Sequence, residues 1–283
     1  MAANTNLHKA KDAKNDEFYT QLTDVSKELM HYKEHFKGKT VFCNCDDPTW
    51  SAFWKYFHLN FAELGLKKLI STHYDREEAT YKMEYTGGDD NNIEVGVNTP
   101  LEGNGDFRNQ ECLDLLDECD IVVTNPPFSE YRSYVATLIE HDKKFIIWSN
   151  NNSITYKEIF PLLKNNEMWL GYTANKTLTF RIPDYYEKWD EKETAKMNDG
   201  HYYAKVPAIS VFTNLDIEKR HEKLILWKQY TPEEYPKYDN YLAWNVNKVS
   251  EIPCDNYIDI EIDKSELELY KAIYPDLEVL FDD

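Results

Sequence analysis

Asn125, Pro126, Pro127 and Phe128 follow directly on the apolar-leaning run Asp120–Thr124, and their order has chemical content. An Asn side chain both accepts and donates hydrogen bonds. Pro126 fixes its own φ and pushes Asn125 out of the helical region. Consecutive prolines offer no N–H, so no helical turn closes here and the Pro126 carbonyl is left to accept a bond from outside. An amide oxygen and a carbonyl converging on one point suit an exocyclic NH2 group. Accepting both of its protons keeps the nitrogen lone pair out of ring conjugation and aims it outward. Phe128 can stack on the ring that bears the amine. The four residues read as a clamp for a planar aminated base; a turn that merely ends a strand is the plainer reading.

Other carboxylates stand at comparable places. "TVFCNC" (40–45) reads as a strand and runs into Asp46-Asp47-Pro48; "KKLISTHY" (67–74) reads as a strand and runs into Asp75. Between these runs lie amphipathic stretches. Phe53, Phe57 and Phe61 fall at i, i+4 and i+8, one face of a helix over residues 50–64. Helices are expected over 111–119, 131–142 and 153–166, and strands over 120–125, 144–149 and 167–172. Strands alternating with helices imply βαβ units and an α/β fold, a doubly wound, mostly parallel, Rossmann-like sheet. In such a sheet ligands sit beyond the carboxyl ends of the strands, so all three loaded ends open on one rim. Residues 76–105, with "TGGDDNN" and "EGNGD", interrupt the alternation as a hairpin or loop. After about Thr173 the periodicity fades, with one clear strand at 208–215. The expected organisation is a catalytic part over 1–172 and an irregular lobe over 173–283.

Composition narrows the class. The chain has 283 residues, 42% hydrophobic and 14% aromatic, enough for a substantial core. No apolar run approaches the roughly 18 residues of a membrane span, and the polar N-terminus holds no signal-like apolar region. The five cysteines form no CxxC pair, which fits reduced thiols in a cytoplasm. Cys43 and Cys45 sit inside a strand with no His/Cys pair nearby, so no metal is expected. The net charge is −19, and residues 251–283 hold 11 acidic and 2 basic side chains. That balance argues against strong non-specific binding to polyanions.

At these residues the sequence resembles a known family. "NPPF" is similar to the catalytic motif of S-adenosylmethionine-dependent amino-methyltransferases. The ordered blocks "LHKAKDAKNDEFYTQ", "HFKGKTVFCNCDDPTWSAFWKYF", "GDFRNQECLDLLDECDIVVTNPPF", "DKKFIIWSNNNSITYKEIF" and "YPKYDNYLAWNVNKVSEIP" resemble the EcoRI-type adenine-specific DNA methyltransferases across most of residues 7–253. The resemblance implies S-adenosyl-L-methionine as cofactor, with Phe18, Tyr19 and Thr20 approaching its methionine moiety. Asp46 or Asp47 would take its amino or ribose groups, in a loop that lacks the usual glycine-rich form. Asp75 would bind the ribose hydroxyls. Asp106 would accept from the adenine amine and Phe107 pack on that ring.

The function so implied is methyl transfer to N6 of an adenine flipped out of double-stranded DNA, in a restriction-modification or phage setting, by a cytoplasmic monomer. Tyr235, Tyr238, Tyr241 and Trp244 could contact the bases or the gap they leave, and Lys157, Lys176 and Arg181 are among the cations that could meet phosphate. Two alternatives use the same residues: methylation of another amine or amide, in RNA adenine or protein glutamine, and a catalytically dead DNA mimic or binding module on the same fold.

Overall fold

The structure, a computed structural model, describes residues 19–75, 79–182, 194–196 and 200–222. Its elements in chain order are α1 (Leu22–Leu29), a 3-10 turn (Met30–Tyr32), α2 (Lys33–Phe36), β1 (Thr40–Cys43), α3 (Ala52–Leu59), α4 (Phe61–Leu64), β2 (Lys68–Thr72), β3 (Tyr81–Tyr85), β4 (Val97–Pro100), α5 (Gln110–Glu118), β5 (Ile121–Thr124), α6 (Tyr131–Glu140), β6 (Lys144–Asn150), α7 (Phe160–Lys164), β7 (Trp169–Leu170), β8 (Lys176–Ile182), β9 (Thr194–Lys196) and β10 (Tyr202–Thr213). Among the described residues no helix is long and apolar enough to cross a membrane.

The sheet runs β4-β3-β2-β1-β5-β6-β10-β7, with β8 and β9 paired to β10. Its centre, β2-β1-β5-β6, is parallel. Strand order reverses between β1 and β5, neighbours in space that lie far apart in sequence. The pairings of β3, β4, β7, β8, β9 and β10 are antiparallel, so the whole sheet is mixed.

The central strands are apolar on both faces because both are covered. Val41, Cys43, Ile121, Val123, Ile146 and Trp148 pack on one side with Val25 and Leu29 of α1 and Phe53, Trp54 and Phe57 of α3. Phe42, Val122, Phe145 and Ile147 pack on the other with Leu115 and Leu116 of α5 and Tyr134, Val135 and Leu138 of α6. Adjacent strand residues thus serve opposite cores, as the two-residue pleat demands. Cys43 lies in the first core while Cys45 packs against the second, so the C-x-C pair does not converge.

Two stretches differ from the sequence reading. The helix expected over 153–166 is a 3-10 turn (Asn151–Thr155) and then only the short α7, with Pro161 at its second position. Proline is tolerated in the first turn of a helix and not inside one, so helix starts there rather than passing through. The sheet also does not stop at residue 172. The 12-residue β10 pairs with β8 and β9 through its first half and with β6 and β7 through its second. The ladder to β8 shifts register between Val206 and Ile209, where Pro207 lacks a ladder donor and Ala208 takes φ +58°. That bulge breaks the alternation which would have announced one long strand. The described residues up to His221 belong to a single compact unit.

Candidate active site

The carboxyl ends of β1, β2 and β5 meet as a rim, and short polar contacts fix each loop there. The β1 loop starts at Asn44, a buried side chain whose Oδ1 accepts from the Thr72 hydroxyl and the Cys45 N–H, both at 2.9 Å. Cys45 takes φ +61°, a left-handed conformation that glycine adopts without strain. This left-handed turn is therefore made by a cysteine, held by the Asn44 amide.

Asp46 and Asp47 then part company. Asp46 is 6% exposed, lodged between β1 and β5. Thr124 Oγ1 lies 3.0 Å from its Oδ2, and the Ser51 hydroxyl and the Asn125 backbone N–H also donate to the carboxylate. Burial pushes its carboxyl up to about 8 against the pull of those bonds, and the nearby Asp47 adds to the rise. The Ser51 oxygen in turn accepts the N–H groups of Phe53 and Trp54, capping α3. Asp47 is gripped from outside the loop: Oδ1 accepts from Thr49 N–H at 2.8 Å, Thr49 hydroxyl at 2.7 Å and Tyr81 hydroxyl at 2.8 Å, while His73 Nδ1 stands 3.0 Å from Oδ2. Burial raises that carboxyl, but the bonds from His73, Thr49 and Tyr81 outweigh it and hold the group down at about 2. Neither carboxylate stands open at the rim as the sequence suggested.

The β2 end meets the "GDF" loop. Asp75 N–H donates to the Asn104 carbonyl at 3.2 Å. Gly105, at φ +74°, comes so close that a Cβ there would run into the carbonyl oxygen of His73. The close approach of this loop to the end of β2 thus depends on a missing side chain. Asp106 is clasped by Arg108, with Nε to Oδ1 and Nη2 to Oδ2 both at 2.8 Å, and the guanidinium holds its carboxyl below the usual carboxylate range. Arg108 also reaches Glu130 Oε2 at 3.1 Å, tying this loop to the turn after β5. Phe107 is buried in the second core with Tyr134 edge-on at 4.9 Å.

After β5, Asn125 and Phe128 are half-buried and Pro126 is buried. The Glu130 N–H donates to the Pro127 carbonyl at 2.9 Å, which starts the turn into α6. The Pro126 carbonyl accepts no hydrogen bond from any described residue. Of the N-terminal motif, Phe18 lies outside the described residues, as do Tyr235, Tyr238, Tyr241, Trp244 and the acidic residues 251–283. Tyr19 bridges Arg181 of β8 through two backbone bonds and rests its ring on Trp50, centroids 3.8 Å apart. That contact brings the motif to the β1 loop.

Thr20 Oγ1 and Arg181 Nε are buried beside Tyr19 and have no partner among the described residues. A hydroxyl and a guanidinium N–H without acceptors fit a group carrying an amine and a carboxylate. The sequence reading missed Asn44, Thr124, His73 and Tyr81, since each meets a residue from another strand, and Ser51, whose hydroxyl also caps α3. Trp50 and Arg108, in contrast, sit next to recognised motifs.

Comparison with known proteins shows the family of the chain. Residues 6–271 match the family model described as adenine-specific methyltransferase EcoRI. The chain is 45% identical over 269 residues to the type II methyltransferase M.EcoRI of Escherichia coli, covering 90% of this chain and 82% of that protein. It is 39% identical over 252 residues to the type II methyltransferase M.MpnI of Mycoplasma pneumoniae, covering 88% and 77%. A third relative, the type II methyltransferase M.MgeORF184P of Mycoplasma genitalium, is 38% identical over 254 residues and covers 88% and 78%. With the Asn-Pro-Pro-Phe turn on the rim of its parallel strands, this chain belongs to the EcoRI family of adenine-specific DNA methyltransferases.

Proposed function

We propose that the protein methylates N6 of an adenine flipped out of double-stranded DNA, with S-adenosyl-L-methionine as methyl donor, as a monomer. The observation that carries this reading is the Pro126 carbonyl, which accepts nothing from the described residues and stands next to Asn125 at the rim. When bound, S-adenosyl-L-methionine supplies an electrophilic methyl group on a sulfonium sulfur. Thr20 and Arg181 would hold its methionine end, Asp75 its ribose, and Asp106 its adenine amine through the lone pair that Arg108 leaves on Oδ2.

The chain's own part is placement and polarity. The Asn125 amide oxygen and the Pro126 carbonyl each accept one N–H of the target amine and keep its lone pair out of the ring. Phe128 offers its half-buried ring to the base. A paired adenine cannot enter such a site, so the base is extruded, at a cost of a few kcal/mol. Stacking on an aromatic ring returns about 1–3 kcal/mol. Recognition of the flanking sequence falls to the C-terminal part of the chain, residues 173–283.

The test is direct. Protein and labelled cofactor are incubated in parallel with duplex DNA, RNA and cell protein. Label in N6-methyladenine of DNA is expected; label only in RNA or protein overturns the reading. Asn125→Ala should lower kcat by about 100-fold or more while the cofactor Kd stays within about 3-fold.

A further inference from the structure

Asp46 joins three pieces of the site through one carboxyl group. Its partners are the Ser51 hydroxyl at the head of α3, the Thr124 hydroxyl at the end of β5, and the backbone N–H of Asn125. It is buried at 6% exposure, which leaves it little face toward a ligand. We propose that Asp46 is a positioning residue that fixes the backbone of Asn125, and hence the aim of its amide, and that it does not bind the cofactor. This rests on the reading that Asn125 grips the target amine.

Proton counting defines the state in which it does so. The Thr124 hydroxyl has one proton and two acceptors in reach, the Asn44 carbonyl and Asp46 Oδ2, with the Asn44 carbonyl the closer. With that proton given to Asn44, Asp46 meets Thr124 Oγ1 with a proton of its own. The resting group is then a neutral acid: one oxygen accepts from Asn125, and the O–H donates to Thr124. Burial of the group favours the same state. A neutral acid has a close mimic. In Asp46→Asn the amide oxygen accepts from the Asn125 N–H and the NH2 faces Thr124, whereas Asp46→Ala takes the acceptor from the Asn125 N–H and leaves the Thr124 hydroxyl with the Asn44 carbonyl alone.

Three quantities are read on both variants of the full chain: cofactor Kd by calorimetry, kcat at saturating cofactor and DNA, and hydrogen exchange in the segment Thr124–Phe128. Asp46→Asn should keep all three within about 3-fold of wild type; Asp46→Ala should lower kcat by about 30- to 100-fold, deprotect the segment, and leave Kd within about 3-fold. A Kd that rises 10-fold or more with protection unchanged makes Asp46 a cofactor ligand and overturns the proposal. Asp46→Asn behaving like Asp46→Ala overturns the neutral-acid state. If Asp46→Ala does not fold, Thr124→Val takes its place. It removes the bridge from one side and should deprotect the segment without changing Kd; wild-type protection overturns the proposal. Should the wild type put no label into DNA adenine, the proposed function fails, while Kd and exchange still judge Asp46.

Discussion

Thr124 Oγ1 and Asp46 Oδ2 stand 3.0 Å apart across the β1–β5 pair, and the Asn125 N–H closes on the same carboxyl group. A buried acid thus lies beneath the first residue of the Asn-Pro-Pro-Phe turn, and its charge state bears on the stability of the fold.

The sign is set by the direction of its shift. Asp46 has a folded value near 8, above its ordinary one, so its contribution to stability is complete below about pH 4 and is lost as pH rises through 8. The groups facing it are Asp47, Cys43 and Tyr134. Asp47 is already ionised throughout that range, and burial keeps Cys43 and Tyr134 protonated in it, so none of the three masks the loss. Asp46→Asn should flatten the alkaline limb: between pH 6 and 9 its urea midpoint should fall less than that of the wild type. Parallel slopes for the two proteins would contradict the assignment.

Asp47 predicts the opposite limb. Its folded value near 2 lies below the ordinary one, so its contribution is present above about pH 4 and lost as pH falls toward 2. Asp47→Asn should lower the melting temperature at pH 7 and narrow the gap to wild type at pH 3. Scanning calorimetry at the two pH values measures it. His73→Gln should reproduce part of the effect, because His73 supplies one of the bonds that hold the carboxylate ionised.

Gly105 should tolerate no side chain. Alanine there faces both a left-handed backbone and the His73 carbonyl. The loop must move off the end of β2, which carries Asp106 with it and breaks the Asp75 N–H bond to Asn104. Gly105→Ala is expected to cost about 2–4 kcal/mol of stability and to raise the cofactor Kd about 10-fold or more. Chemical denaturation and calorimetry separate the two effects.

Cys45 should accept glycine and resist valine. At φ +61° glycine removes strain of about 1 kcal/mol, whereas a β-branched side chain adds to it. The melting temperature of Cys45→Gly should equal or exceed that of wild type, and that of Cys45→Val should fall by several degrees.

Much of this was readable from residue order. β1, β2, β5 and β6 are short, nearly continuous apolar runs, which is what burial on both faces writes into a sequence, and the Asn-Pro-Pro-Phe turn carries its geometry in its own residue types. The Asp46-Asp47 pair was not readable: two adjacent carboxylates look alike until β5 packs beside β1 and encloses one, while β3 brings Tyr81 to the other. β8 and β10 stayed hidden for a related reason. Their pattern is set by partners and by a bulge at Pro207, not by an unbroken alternation. The 153–166 stretch was overcalled because apolar spacing took precedence over Pro161.

The contact between Asp46 and Thr124 spans 78 positions of the chain. During synthesis β1 and the Asp46 loop leave the ribosome well before β5 exists. A nascent chain that ends before β5 holds β1, β2 and the β3–β4 segment but lacks both Thr124 and Asn125. The carboxyl group of Asp46 therefore meets these partners only after more than seventy further residues have been added.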